Sequence, residues 1–235
     1  MKIYTGKDLE GKDFYLDLEK ENLHTIFLTG TTGSGKSIFH YSLYKQLMEQ
    51  NTPDELGFVF MDMTQVDFAR WYSPYLYLPI IFWAEQALNA LELLAKESEL
   101  RAQGKADNKR GIVIHIEECD MMALGGHRFE QAWLSIEKHK DKNNMYIVFS
   151  TSRLSTDVFT ETIRKGTDLK VVFILSTERD SMMILGKSLA EKLKVWEKVL
   201  AYNNKEIVIK PFTDDYVKEL QEFDEKMSNV SAGLL

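Results

Sequence analysis

The chain has 235 residues, of which 36 are acidic and 29 basic, giving a formal net charge of −7. That length supports one large α/β domain with a full core, and the acidic balance excludes a generally adhesive nucleic-acid binder while allowing a local basic surface. A single cysteine, Cys119, rules out an internal disulfide framework and fits a reducing cytoplasm, and the longest apolar run, Tyr75 to Ala84, contains Pro79 and is too short to cross a bilayer.

Residues 1–24 lack the apolar stretch of a signal peptide and predict a hairpin, with Phe14-Tyr15-Leu16-Asp17-Leu18 following the turn-like Glu10-Gly11-Lys12. Thr25-Ile26-Phe27-Leu28-Thr29 is a β-branched, apolar run that predicts a buried strand. Gly30-Thr31-Thr32-Gly33-Ser34-Gly35-Lys36-Ser37 then fits G-x-x-x-x-G-K-S/T, the phosphate-binding P-loop. Ile38, Phe39, Tyr41, Tyr44, Leu47 and Met48 recur at helical spacing behind it. In this context the backbone amides from Gly30 to Ile38 can turn onto a polyphosphate, helped by the positive end of the new helix. Lys36 is expected to reach the β- and γ-phosphates of ATP, and the Ser37 hydroxyl to ligate Mg²⁺.

A turn at Asn51-Thr52-Pro53-Asp54 leads to a second buried strand, Leu56 to Met61, ending at Asp62. Residues 63–83 are irregular and dense in aromatics, which suits core or subunit contact better than base stacking. Ala84, Ala87, Leu88, Leu91, Leu94 and Ala95 mark a long amphipathic helix that runs into a basic loop, Arg101 to Arg110. Ile112 to Ile116 is the third strand, and His115 within it reads as a core histidine. Phe129, Ala132, Trp133 and Ile136 give another helix, and Met145–Phe149 and Val171–Leu175 the fourth and fifth strands. Two helical patterns, a short strand at Glu206–Ile209 and a helix capped by Thr213 follow, with a disordered tail expected from Ser228 (228–235). Strands alternating with helices predict a doubly wound, mainly parallel α/β sheet in one domain over 1–227, without repeat or linker.

The third strand ends in Glu117-Glu118, where open α/β sheets place ligand chemistry. Glu117 is the expected Mg²⁺ carboxylate, standing where an aspartate is commoner, and Glu118 the group that orients or deprotonates an attacking water. An extra strand lies in sequence between the P-loop strand and this acidic one. Together with the glutamate, that describes the additional-strand, catalytic-glutamate (RecA-like) P-loop NTPases. Strand four ends in Ser150-Thr151-Ser152-Arg153, where such ATPases place a γ-phosphate sensor, here Ser152. No zinc or iron spacing is visible.

Several segments in the same order resemble the motor domain of the FtsK/SpoIIIE family within the FtsK–HerA superfamily. They are Gly6-Lys7-Asp8 with Gly11, the stretch from Asn22 through Ser37, Asp62 with Val66-Asp67-Phe68, and Glu97-Ser98-Glu99-Leu100-Arg101. The series continues with Ser150 to Val158 and with Asp180-Ser181 ahead of Ile184-Leu185. The resemblance implies an ATPase that moves double-stranded DNA through a homo-hexameric ring, with a cation from one subunit completing the next subunit's site. Where the family carries an arginine finger this chain has Lys170, with Arg153 and Arg179 as alternatives, and pore contacts to DNA are implied for Arg179, Lys187 and Lys192. The family's membrane anchor, linker and winged-helix module find no counterpart, so an anchorless motor in the cytoplasm, or in a virion, is expected. Viral genome packaging, DNA transfer and segregation all suit it, each with a recruiting, capsid or transfer partner. A protein-secretion ATPase is the alternative, and a P-loop kinase or nucleotide switch is disfavoured by Glu118.

Overall fold

The computed structural model describes residues 1–120 and 126–229. Two strands, β1 (Lys2–Lys7) and β2 (Asp13–Asp17), form an antiparallel hairpin with an irregularity between Tyr4 and Gly6. The hairpin docks on the helix that follows the P-loop, α1 (Lys36–Gln50). Gln46 on α1 accepts from the Tyr4 amide at 2.6 Å and donates to the Tyr4 carbonyl at 3.1 Å.

The main sheet has seven strands in the order β4-β5-β6-β3-β7-β8-β9. Five are parallel: β3 (Thr25–Thr29), β4 (Leu56–Asp62), β5 (Gly111–Glu117), β6 (Met145–Thr151) and β7 (Leu169–Phe173). Two antiparallel strands, β8 (Lys198–Tyr202) and β9 (Lys205–Ile209), extend the β7 edge. The helices after α1 are α2 (Ala84–Ala102), α3 (His127–Lys138), α4 (Lys140–Asn143), α5 (Glu161–Gly166), α6 (Glu178–Leu185) and α7 (Asp214–Asn229). Among the described residues no helix is long and apolar enough to cross a membrane.

Strand periodicity divides the interior into two cores, because successive side chains leave opposite faces of the sheet. Phe27, Val59, Met61, Ile112, Ile114, Ile116, Ile147 and Phe149 face one core, under α2 and α3. Ile26, Leu28, Phe58, Phe60, Val113 and Val148 face the other, under α1, α7 and the hairpin. On this second side Phe68 and Trp71 from the aromatic segment are buried around Tyr44 and Phe60, with Phe60 stacked on Phe68 at 4.5 Å and Trp71 edge-on to Phe68 at 5.0 Å. The aromatic density of 63–83 therefore supplies core there, although Tyr72 and Trp83 stay exposed.

The mainly parallel α/β reading holds, with differences of detail. The extra strand that lies in space between the P-loop strand β3 and the acidic strand β5 is β6, whereas β4 forms the sheet edge. The fifth strand begins two residues before the expected run, and Ile174 and Leu175 leave the sheet to bond Thr31 and Ala190. The second of the two helical patterns expected after β7 is instead a single 3₁₀ turn (Ala190–Lys192) followed by β8. Ser228 lies inside α7, where the tail was expected to begin, and 230–235 fall outside the described residues.

Lys198 on β8 is the unusual core residue. It is 1% exposed, its ammonium lies 4.4 Å from the Phe212 ring centre, and burial pushes its pKa from 10.5 down to about 7. An unfolded chain would carry a proton there between those two values that the folded chain lacks, so stability rises with pH across that window. Lys198→Met should therefore stabilise the protein by roughly 1–3 kcal/mol near neutral pH, with the gain fading as pH approaches 10.5. Chemical unfolding of both proteins over that range is the check, and a gain independent of pH would contradict the argument.

Candidate nucleotide site

The P-loop leaves β3 at Thr29 and is closed by its own backbone. Thr31 N–H donates to the Ile174 carbonyl at 3.0 Å, and Ser34 N–H to the Thr31 carbonyl at 3.1 Å. Two glycines are required by geometry. A Cβ on Gly30 would lie 2.5 Å from Phe173 Cβ and 2.6 Å from Ser34 Oγ, and Gly35, the residue before α1, has φ +108°. The loop thus presents its amides together with the positive end of α1, an anion-binding arrangement. Lys36 is buried, and its Nζ donates to the carbonyls of Gly30 at 2.8 Å and Thr31 at 3.3 Å. Burial lowers its pKa, opposed by the nearby charges of Glu118, Glu117 and Asp67.

A cleft of about 380 Å³ opens over this loop and brings together Lys36, Ser37, Asp67, Glu117, Glu118 and Trp196. Glu117 ends β5 and is 3% exposed, and burial raises its pKa. Glu118 stands at φ +46°, which breaks the strand alternation and turns its side chain toward β6. There its carboxylate accepts from Ser152 N–H at 2.8 Å, Ser152 Oγ at 2.6 Å and Thr151 Oγ1 at 3.3 Å. The expected sensor and the expected water-activating acid are in direct contact.

Other expected residues lie apart from the cleft. Lys170 sits near the start of β7, between β3 and β8 and toward the end of the strands away from the P-loop, and donates to the Ile184 carbonyl at 3.0 Å. Arg153 is exposed near Asp157 at 3.9 Å. Arg179, Lys187 and Lys192 are exposed on the segment after β7, with Lys187 paired to Glu206 and Lys192 3.6 Å from Glu191.

The structure adds groups that motif reading passed over. Asp67 is hydrogen-bonded to Ser37 and to Glu117, and burial with the Glu117 charge raises its pKa to about 7. Asp62 holds the loop that carries it. Its carboxylate accepts from Thr64 Oγ1 at 2.7 Å, Gln65 N–H at 3.0 Å and Phe68 N–H at 2.9 Å. Asp67 lay within a segment that matched the family, a signal pointing to it without a role. Trp196, whose indole N–H reaches the Gly33 carbonyl at 3.3 Å, comes from 163 residues away and had no local signal. Ser37, Asp67 and Glu117 make an all-oxygen donor set, which suits a hard cation such as Mg²⁺.

Gly30→Ala should reduce nucleotide affinity at least tenfold, because the new methyl displaces either Phe173 or the Ser34 turn. Equilibrium binding of a fluorescent ATP analogue measures this, and affinity equal to wild type would show that the loop geometry does not set the site.

Comparison with known proteins follows the same lines. The model of the FtsK/SpoIIIE family matches residues 1–117. The DNA translocase FtsK of Helicobacter pylori (strain J99) is 30% identical over 214 residues, covering 82% of this chain and 25% of that protein. The chain thus spans about a quarter of the length of the curated relatives it matches. Among solved structures, the pCW3 conjugation coupling protein TcpA, in its monomer form with ATPγS, superposes with a TM-score of 0.75 at 18% identity, over 94% of this chain and 70% of that one. The cytoplasmic domain of the Thermomonospora curvata type VII secretion ATPase EccC gives 0.74 at 16% identity, over 93% and 31%. These two likenesses are of fold. With the P-loop, the acidic strand and the inserted β6 in place, the sequence matches put the chain in the FtsK/SpoIIIE family.

Proposed function

We propose that the chain through the end of α7 forms one motor domain that hydrolyses ATP in a cytoplasmic ring of six identical subunits and drives double-stranded DNA through it. The observation that carries this reading is the placement of Glu118 against Ser152 across β5 and β6, in reach of a P-loop whose lysine shares the cleft with both acids. The P-loop amides and Lys36 hold the triphosphate. Ser37 and Glu117, with Asp67 beside them, would hold Mg²⁺, which would supply positive charge to offset that of the triphosphate. Glu118 orients a water for in-line attack on the γ-phosphorus and accepts its proton. Ser152 Oγ has one proton, so contact with a γ-phosphate releases Glu118 Oε1 from it.

Lys170 lies on the strand beside β3 but outside its own nucleotide cleft, with its ammonium on the Ile184 carbonyl, which supports a role at a neighbour's site. The name of the relatives supports DNA as the cargo, and the exposed cations after β7 offer phosphate contacts without base readout. A capsid, a transfer apparatus or a recruiting protein would complete the machine. The fold shared with EccC makes a polypeptide the competing cargo.

Glu118→Gln should keep ATP binding and lower turnover by about 10²–10⁴-fold, measured by phosphate release beside an equilibrium binding assay. Hydrolysis at the wild-type rate would remove Glu118 from its role. Lys187→Ala with Lys192→Ala should lower the slope of log affinity against log salt on duplex DNA by about two units. Stimulation of the ATPase by an unfolded polypeptide, but not by duplex DNA at low salt, would replace DNA with protein as the cargo.

A further inference from the structure

On the α1 side of β5, Glu117 meets three side chains that take no part in nucleotide binding. Tyr44 Oη lies 2.7 Å from His115 Nδ1, and His115 Nε2 lies 2.8 Å from Glu117 Oε2. His40 packs edge-on against His115 at 4.5 Å, with Nδ1 3.6 Å from the same carboxylate oxygen and neither ring nitrogen hydrogen-bonded. Tyr44, His40 and His115 are all 0% exposed.

The proton arrangement follows from the donor inventory. A neutral imidazole has one N–H and one acceptor nitrogen, and both rings lie fully inside the core. A carboxylate ready to bind a cation only accepts, so His115 must donate from Nε2 and accept at Nδ1 from the Tyr44 hydroxyl. Each contact then has one donor and one acceptor, and the ring is fixed in one tautomer. Glu117 Oε2 is tied back by His115, and a cation shared by Glu117 and Asp67 would take the place of the hydrogen bond between those two carboxyl groups. An aspartate in this place would be one methylene too short to meet His115 and the cation together.

We propose that His115, backed by Tyr44, is a positioning residue that fixes the Glu117 carboxylate as a cation ligand, and that this support accounts for a glutamate standing where an aspartate is commoner. The proposal rests on Glu117 being the carboxylate of the Mg²⁺ site. Outer groups that orient a ligand change metal affinity by about 10–100-fold when removed, so the effect belongs in Mg²⁺ dependence more than in maximal turnover.

The test is a Mg²⁺ titration of ATP hydrolysis at saturating ATP, with melting temperatures recorded, for wild type, His115→Leu, His115→Gln, Tyr44→Phe and Glu117→Asp. His115→Leu should raise the Mg²⁺ concentration for half-maximal rate about tenfold. Its turnover at saturating Mg²⁺ should fall much less. His115→Gln keeps an N–H where Nε2 stood and should recover most of the loss. Tyr44→Phe should shift in the same direction by less, and Glu117→Asp should match His115→Leu, with no further loss when the two are combined. An unchanged Mg²⁺ requirement in His115→Leu, or equal shifts in the Leu and Gln variants, would overturn the assignment. Tight Zn²⁺ binding abolished in both His40→Ala and His115→Ala would make the imidazoles ligands and overturn it too. If wild type hydrolyses ATP with no need of a divalent cation, the reading of Glu117 fails first and this proposal with it.

Discussion

The P-loop strand and the acidic strand are not neighbours, and the site depends on the strand that separates them. β6 runs parallel to both β3 and β5, pairing Leu28 with Ser150 on one side and Ile116 with Phe149 on the other. A spacer of one strand leaves room between Lys36 and the two acids for a cleft of about 380 Å³. The same strand delivers Thr151 and Ser152 to the end of the sheet, where they receive Glu118. Without β6 the acids would crowd the lysine, and the sensor would have no scaffold.

Period-two alternation then decides what each acid touches. His115 and Glu117 are two apart on β5, so both face the α1 side, whereas Ile114 and Ile116 enter the apolar core beneath α2 and α3. Glu118 escapes the alternation only through its left-handed backbone, a strained conformation of the kind that collects at functional sites. Both faces bury polar groups, to different ends. Under α2, Arg101 bonds the Asn143 carbonyl and Asn143 bonds Ser98, away from the cleft, while the α1 side buries His40, His115 and Lys198 among its rings. Such groups weaken a core unless they are paired or have work to do. Those on the α1 side surround the nucleotide cleft and its loop.

Much of this was legible in the chain, and the reason is locality. The β3–loop–α1 unit occupies consecutive residues with a fixed glycine spacing, and Glu117-Glu118 closes a run that is apolar but for His115, so position in sequence and position in the fold coincide. Asp67, His40 and Trp196 are different. Each reaches the site through tertiary placement: a loop tied down by Asp62, a helix face turned inward, and a return of the chain 163 residues later. β8 escaped because Lys198, its first residue, reads as a polar helix position although it is buried in an aromatic cage, so that Val199–Tyr202 passed as the apolar side of a helix.

The central claim is that hydrolysis at this cleft moves the protein along duplex DNA, and displacement of a third strand tests it most directly. A duplex carrying a triplex-forming oligonucleotide is mixed with the protein and ATP, and release of the oligonucleotide is followed in time. The account predicts ATP-dependent release that grows faster when longer duplex flanks the triplex, and none with Glu118→Gln or a non-hydrolysable analogue. ATP hydrolysis that proceeds on the same DNA without displacing the third strand would contradict it.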